Sequence, residues 1–250
     1  MSAISSETLF HLTSSAEYLL GILKNEFYPR YCMERYELGG RTIIKAAFPM
    51  VCFCDIPLSQ IKNHIDRYGC YGLGMSKIWA EKNGLNPVLY LRGSSDFSVR
   101  IRVILDNIVS DFRQKQKKTE MWDALVRILR YMKPYESPYF RDNKMNEIIR
   151  FYDEREWRYV VSPDKCGGKY FLTTNEYRNS IKLADENEKL KECKLGFEPG
   201  DIRYVIIKAE KEVIEMIEAL KRIKRPKYDE KTIEILISRI ITCDQIQKDF

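Results

Sequence analysis

The chain has 250 residues, enough for one large domain or two small ones and for a sizeable core. Hydrophobic residues make up 44% and charged residues 31%, ordinary globular proportions that exclude a disordered or fibrous chain. A net charge of +6 permits an anionic partner without requiring one, and seven irregularly spaced cysteines with no CxxC pair exclude a disulfide framework.

In chain order, LFHLT (9–13) reads as a short strand. SSAEYLLGILKN (14–25) follows as a helix, with Ser14 or Ser15 as N-cap and Tyr18, Leu19, Ile22 and Leu23 on one stripe. FYPRYCMERYELGG (27–40) reads as a loop, because Pro29 and Gly39-Gly40 act as breakers. Residues 42–57 hold one or two strands, the stronger at 50–55. Pro57 opens a helix that Gly69 ends. YGLGMS (71–76) reads as a strand whose two glycines let backbone approach closely. A short helix (77–83) and a strand (86–92) come next.

Residues 95–132 give two amphipathic helices joined by a basic link, Lys115, Lys117 and Lys118. KPYESPYFRDNK (133–144) reads as a proline-containing loop and DKCGGK (164–169) as a turn. DIRYVIIK (201–208) is a clear strand, and helices at about 210–224 and 229–240 are split by Pro226. The last residues close in a short strand or helix. Strands and helices mix without βαβ alternation, so the expected class is α+β in a single domain, with a helical insertion at about 95–133 and a C-terminal helical segment at about 210–250. Neither GxGxxG after a strand nor GxxxxGK[ST] is present. Cys52-x-Cys54 with His64 lacks a second pair at ligand spacing, so no metal is expected. With no signal-like N-terminus and no apolar run of about 18 residues, the expectation is a reduced cytoplasmic protein without a membrane span.

FYDEREWRYVV (151–161) has the aromatic and apolar character of a strand, yet carries Asp153, Glu154, Arg155, Glu156 and Arg158 in its middle. Strand alternation places Glu154, Glu156 and Arg158 on one face, with Arg158 offsetting the carboxylate pair. One reading is a solvated edge strand with an ion-pair ladder. The other is a cleft strand presenting a catalytic carboxylate. A histidine in an early strand, an aromatic in a middle strand and a glutamate in a later one suit a nicotinamide nucleotide. His11 can hydrogen-bond a ribose hydroxyl, an aromatic can stack on nicotinamide, and a glutamate can stabilise an oxocarbenium-like state. Each signal alone is weak, since Glu-x-Glu is common and a histidine in an apolar strand is usually a core residue.

FHLT, GILKNEFYPRY, VCFCDIPLSQIKNHIDRYGCYGLGMSKIW, NPVLYL, DEREWRYV, LGFEPGDIRYVIIK and ISRIITCDQIQKDF together resemble the AbiGi family of abortive phage-resistance proteins, over about 8–92 and 147–250. More distantly, the element order is similar to DarT-like ADP-ribosyltransferases. That second resemblance implies an ADP-ribosyltransferase-like mixed central sheet with flanking helices, NAD as substrate, Glu156 as catalytic glutamate and Glu154 as guide of the acceptor. It also implies NAD contacts from His11 and Thr13, with Tyr71 as the stacking aromatic and Asp55, Ser59, His64 and Tyr68 shaping the cleft. The sequence departs from that pattern in lacking an arginine after CDIPLS, where Arg67 or Lys77 is the candidate replacement.

Three functional readings follow. The first is an NAD-dependent ADP-ribosyltransferase or NAD-cleaving effector of phage defence, with a nucleic-acid or protein acceptor. The second is a non-catalytic antitoxin that binds a partner toxin, the role that the AbiGi likeness implies. The third is a nucleic-acid-binding protein, resting on charge and aromatics.

Overall fold

The structure is a computed structural model that describes residues 6–40, 42–117, 119–141, 144–162, 164 and 167–249. Lys118 of the basic link, and Lys165 and Cys166 of the 164–169 turn, lie outside the described residues. The chain folds as two compact units, Met1–Tyr28 with Val51–Leu85 and Lys194–Phe250, and Pro29–Met50 with Asn86–Cys193.

The first unit holds strands β1 (Thr8–Thr13), the end of β3 (Thr42–Cys54), β4 (Tyr71–Ser76), β11 (Ile202–Ile207) and β12 (Ile240–Thr242), in the order β12-β11-β4-β1-β3. β4 lies antiparallel to both β1 and β11, whereas β11 and β12 run parallel, so the sheet is mixed. Around these strands come α1 (Ala16–Asn25), α2 (Lys62–Tyr68), α3 (Lys77–Lys82), α8 (Val213–Lys224), α9 (Glu230–Ile237) and α10 (Cys243–Asp249). Capping explains several starts. Ser15 accepts from the Tyr18 amide, Ser76 from Trp79 and Asp229 from Thr232. One core cluster gathers Phe10, Ile56, Ile61, Ile65, Ile206, Cys243 and Ile246.

The glycines of β4 have the expected consequence. A Cβ on Gly72 would stand 2.4 Å from the His11 carbonyl oxygen and 3.0 Å from Leu12. We expect Gly72→Ala to cost about 1–3 kcal/mol through forced separation of β1 and β4. Urea unfolding of the full chain measures it, and an unchanged midpoint would mean the strands part freely.

The second unit holds β2 (Arg30–Leu38), the first part of β3, β5 (Asn86–Pro87), β6 (Leu89–Leu91), β7 (Met132–Pro134), β8 (Glu136–Arg141), β9 (Lys144–Arg150) and β10 (Glu156–Val160). β2 pairs antiparallel with β3, β3 neighbours β10, and β10 pairs antiparallel with β5. β6 and β7 run parallel, and β8 and β9 form an antiparallel pair. The helices are α4 (Asp96–Lys115), α5 (Glu120–Leu129), α6 (Thr174–Arg178) and α7 (Ser180–Lys189). Ser95 caps α4, Thr119 caps α5, and Phe112 stacks on Trp122 at 4.7 Å between ring centroids.

The α+β class with a mixed sheet and flanking helices is borne out. Three local expectations are corrected. Residues 30–38 form a strand, because nine consecutive register positions with β3 outweigh the breakers at either end. Of the stretch read as a loop, residues 133–134, 136–141 and 144 lie in β7, β8 and β9, since Pro134 and Pro138 sit in short two-stranded pairings that tolerate a missing donor, and 142–143 lie outside the described residues. Residues 151–161 are not one strand. Phe151–Glu154 forms a 3-10 turn, Arg155 is left-handed at φ +44°, and only Glu156–Val160 is extended.

Candidate functional site

The carboxylates that the sequence pairs by strand alternation do come together, by a different route. The 3-10 turn ends at Glu154, Arg155 reverses the backbone, and β10 begins with Glu156. Left-handed backbone is uncommon for an arginine, and here it brings both glutamates to one cation. Lys133 Nζ on β7 donates to Glu154 Oε2 at 3.1 Å and to Glu156 Oε2. Arg158, two residues along β10, donates from Nε to Glu156 Oε1 and from Nη2 to Glu34 Oε1 on β2. Its Nη1 donates to the carbonyls of Arg130 at 2.8 Å and Met132 at 3.2 Å. The Glu156 amide donates to Tyr90 Oη at 2.8 Å, and the Lys133 ammonium lies 4.7 Å from the Phe151 ring centre. All of these residues belong to the second unit.

The cluster is buried. Arg158 is 0% exposed, and Glu154 and Glu156 are 3% each, so the solvated edge strand is excluded. Ions withdrawn from water are tolerable only when paired and fully hydrogen-bonded, and here two cations are shared among three carboxylates. Burial pushes the Glu156 carboxyl up, but Arg158 and Lys133, through charge and hydrogen bonds, overcome it and bring it down to about 2. Burial works against the Lys133 charge, yet Glu156, Glu154 and Glu34 outweigh it and hold that ammonium well above its ordinary pKa. Glu34 goes the other way. Burial raises it beyond what Arg158 and Lys133 recover, and Glu156 adds repulsion. The arrangement therefore holds Glu156 ionised and tethers β2, β7 and β10 through one guanidinium.

The other residues singled out by sequence lie in the first unit. The His11 ring sits 5.2 Å from Phe27 and 5.5 Å from Phe53 between centroids, with Nδ1 2.8 Å from the Cys52 carbonyl oxygen. Burial lowers its pKa, and the bond to Cys52 offsets part of that. Thr13 ends β1, half-buried opposite Tyr71 in register. Tyr71 Oη donates to Glu212 Oε1 at 3.1 Å, and burial with that carboxylate pushes its phenol up to about 12. The Asp55 carboxylate pairs with Lys77 Nζ at 2.8 Å, and the 3-10 turn Leu58–Gln60 has Pro57 at its cap position. Ser59 in that turn is exposed, and buried His64 stacks beside Tyr68 at 6.4 Å between centroids. Lys77, a candidate replacement for the missing arginine, is thus engaged by Asp55, and Arg67 lies in the last turn of α2. Glu154 and Glu156 are brought together on Lys133, and His11 is held by Cys52, Phe27 and Phe53 of its own unit.

Sequence reasoning missed Lys133, Glu34 and Tyr90. Lys133 and Glu34 were hidden in stretches read as loops. The available signal was the acid excess of 151–158, which demands a cation from elsewhere once the segment is buried.

Among the described residues no helix is long and apolar enough to cross a membrane. The family described as "Putative abortive phage resistance protein AbiGi, antitoxin" matches residues 25–208. The chain is also similar to the abortive phage resistance protein AbiGi of Lactococcus lactis subsp. cremoris, 28% identical over 253 residues that cover 90% of this chain and 99% of the relative. No solved structure matches the chain. The chain belongs to the AbiGi family of abortive phage resistance proteins.

Proposed function

We propose that the chain is the non-catalytic, antitoxin side of a phage-defence pair, and that it acts by binding a toxin protein. One observation carries this reading. Both Glu156 oxygens are engaged by Lys133 and Arg158 in a buried network. A glutamate that stabilises an oxocarbenium-like state must reach a ribose and hold its charge toward it. Glu156 spends its charge on the fold. The engagement of His11 by the Cys52 carbonyl and two phenylalanines supports the same reading for the first unit. The description of the family as an antitoxin agrees with it.

Expression tests the proposal. The chain alone leaves host growth unchanged, and it relieves the growth arrest caused by the companion gene of its phage-resistance locus. Growth arrest by the chain alone, lost in Glu156→Gln, would instead assign it the toxic transferase role.

A further inference from the structure

We propose that Cys70 and Cys243 are a disulfide-forming pair, joined under hydroperoxide, which fastens α10 to the start of β4. Cys243 is the first residue of α10 and is buried, and its thiol donates to the Cys70 carbonyl oxygen at 3.3 Å. That contact sets the two cysteines side by side where α10 meets the start of β4. Cys243 belongs to the apolar cluster around Phe10 and Ile246 in the first unit, and Cys70 packs against it.

The backbone on both sides of the contact is anchored, which keeps the two cysteines adjacent. Gly69, immediately before Cys70, has φ +111°, and its Cβ position would fall 2.4 Å from the Thr13 carbonyl oxygen. On the other side, Gln245 Oε1 accepts from the Thr242 amide at 3.0 Å, and Thr242 Oγ1 accepts from the Gln245 amide at 3.1 Å. Lys62 on α2 donates to the Gln247 carbonyl at 2.8 Å, which anchors α10 further along.

The two thiols differ in access. Cys70 is half-buried and meets a small oxidant first, whereas Cys243 is enclosed. Burial raises the Cys243 pKa, and Cys70, Asp244 and Glu212 raise it further, so that thiol stays protonated at neutral pH. In the first step an S–O bond forms at Cys70, the O–O bond of hydrogen peroxide breaks, and one water leaves. In the second the Cys243 sulfur loses its proton and attacks the Cys70 sulfur. The S–S bond forms, the S–O bond breaks, and a second water leaves. Two thiols and one peroxide thus give one disulfide and two waters. Cys243 is the thiol that lies against Cys70, so its removal leaves a Cys70 sulfenic acid without that partner.

The test treats the full wild-type chain with hydrogen peroxide, blocks remaining thiols, and maps linked peptides by mass spectrometry. The expected result is Cys70–Cys243 as the dominant linkage, with loss of that linkage in Cys70→Ala. Cys243→Ala should accumulate a dimedone-trapped sulfenic acid at Cys70, and Cys52→Ala should leave the wild-type linkage in place. A dominant Cys54–Cys70 linkage, or Cys70 oxidised to sulfinic acid without a cross-link in the wild type, would overturn the proposal.

Discussion

Arg158→Met is expected to destabilise the second unit by about 3–5 kcal/mol, the usual loss when one partner of a buried ion pair is removed. The side chain is fully enclosed and donates to two carboxylates and two backbone carbonyls. Methionine fills most of the volume but offers no donor. Glu34 and Glu156 then lose their shared guanidinium, and Lys133 becomes the remaining cation of the cluster. For a chain of this size the loss corresponds to roughly 10 °C in the unfolding temperature. Trp122 and Trp157 both lie in the second unit, so their fluorescence in urea reports the transition. A change below about 1 kcal/mol, the range of exposed pairs, would mean that the network is solvated and the cluster open.

Acid is expected to weaken the fold over a defined window. The Glu156 carboxyl is lowered from 4.5 to about 2 by Arg158 and Lys133 against the effect of burial. A lowered folded-state pKa gives stability that is fully present above the unfolded value and is lost as pH falls toward the folded one. Glu156 therefore contributes about 3 kcal/mol at neutral pH, lost progressively from about pH 4.5 to 2. Glu34 acts with opposite sign. Its raised pKa favours protonation in the folded state, so stability rises slightly as pH falls toward 4.5, before the Glu156 loss begins. Lys133 sets the alkaline side. Its raised pKa gives stability that is complete below 10.5 and declines above it. Glu156→Gln should flatten the acid limb selectively. Urea midpoints from pH 6 to 2 test this, and an identical acid slope in wild type and Glu156→Gln would remove Glu156 from the network.

The sequence was most legible where one period ran unbroken. The strands read in LFHLT, YGLGMS and DIRYVIIK are found as β1, β4 and β11, and α1 begins at one of its two expected caps. It was least legible where buried positions change face. In β2 the buried residues are Tyr31, then Tyr36 and Leu38, so the pattern never alternates cleanly and the charges at Arg30, Glu34 and Arg35 read as a loop. Proline misled in the same way at 133–144, where the strands are short. The carboxylate pair was visible in Glu154-x-Glu156, and so was the balancing role of Arg158. The burial of that pair and its cation Lys133 were not visible. They depend on a left-handed Arg155 and on a residue about twenty positions upstream, which no local period encodes.

The central claim is that Glu156 serves the fold rather than NAD chemistry. The most direct measurement is nicotinamide release by the full wild-type chain incubated with NAD, alongside Glu156→Gln at a temperature where both remain folded. The account predicts no release above background from either protein. Release by the wild type that disappears in folded Glu156→Gln would contradict it and make Glu156 a catalytic carboxylate.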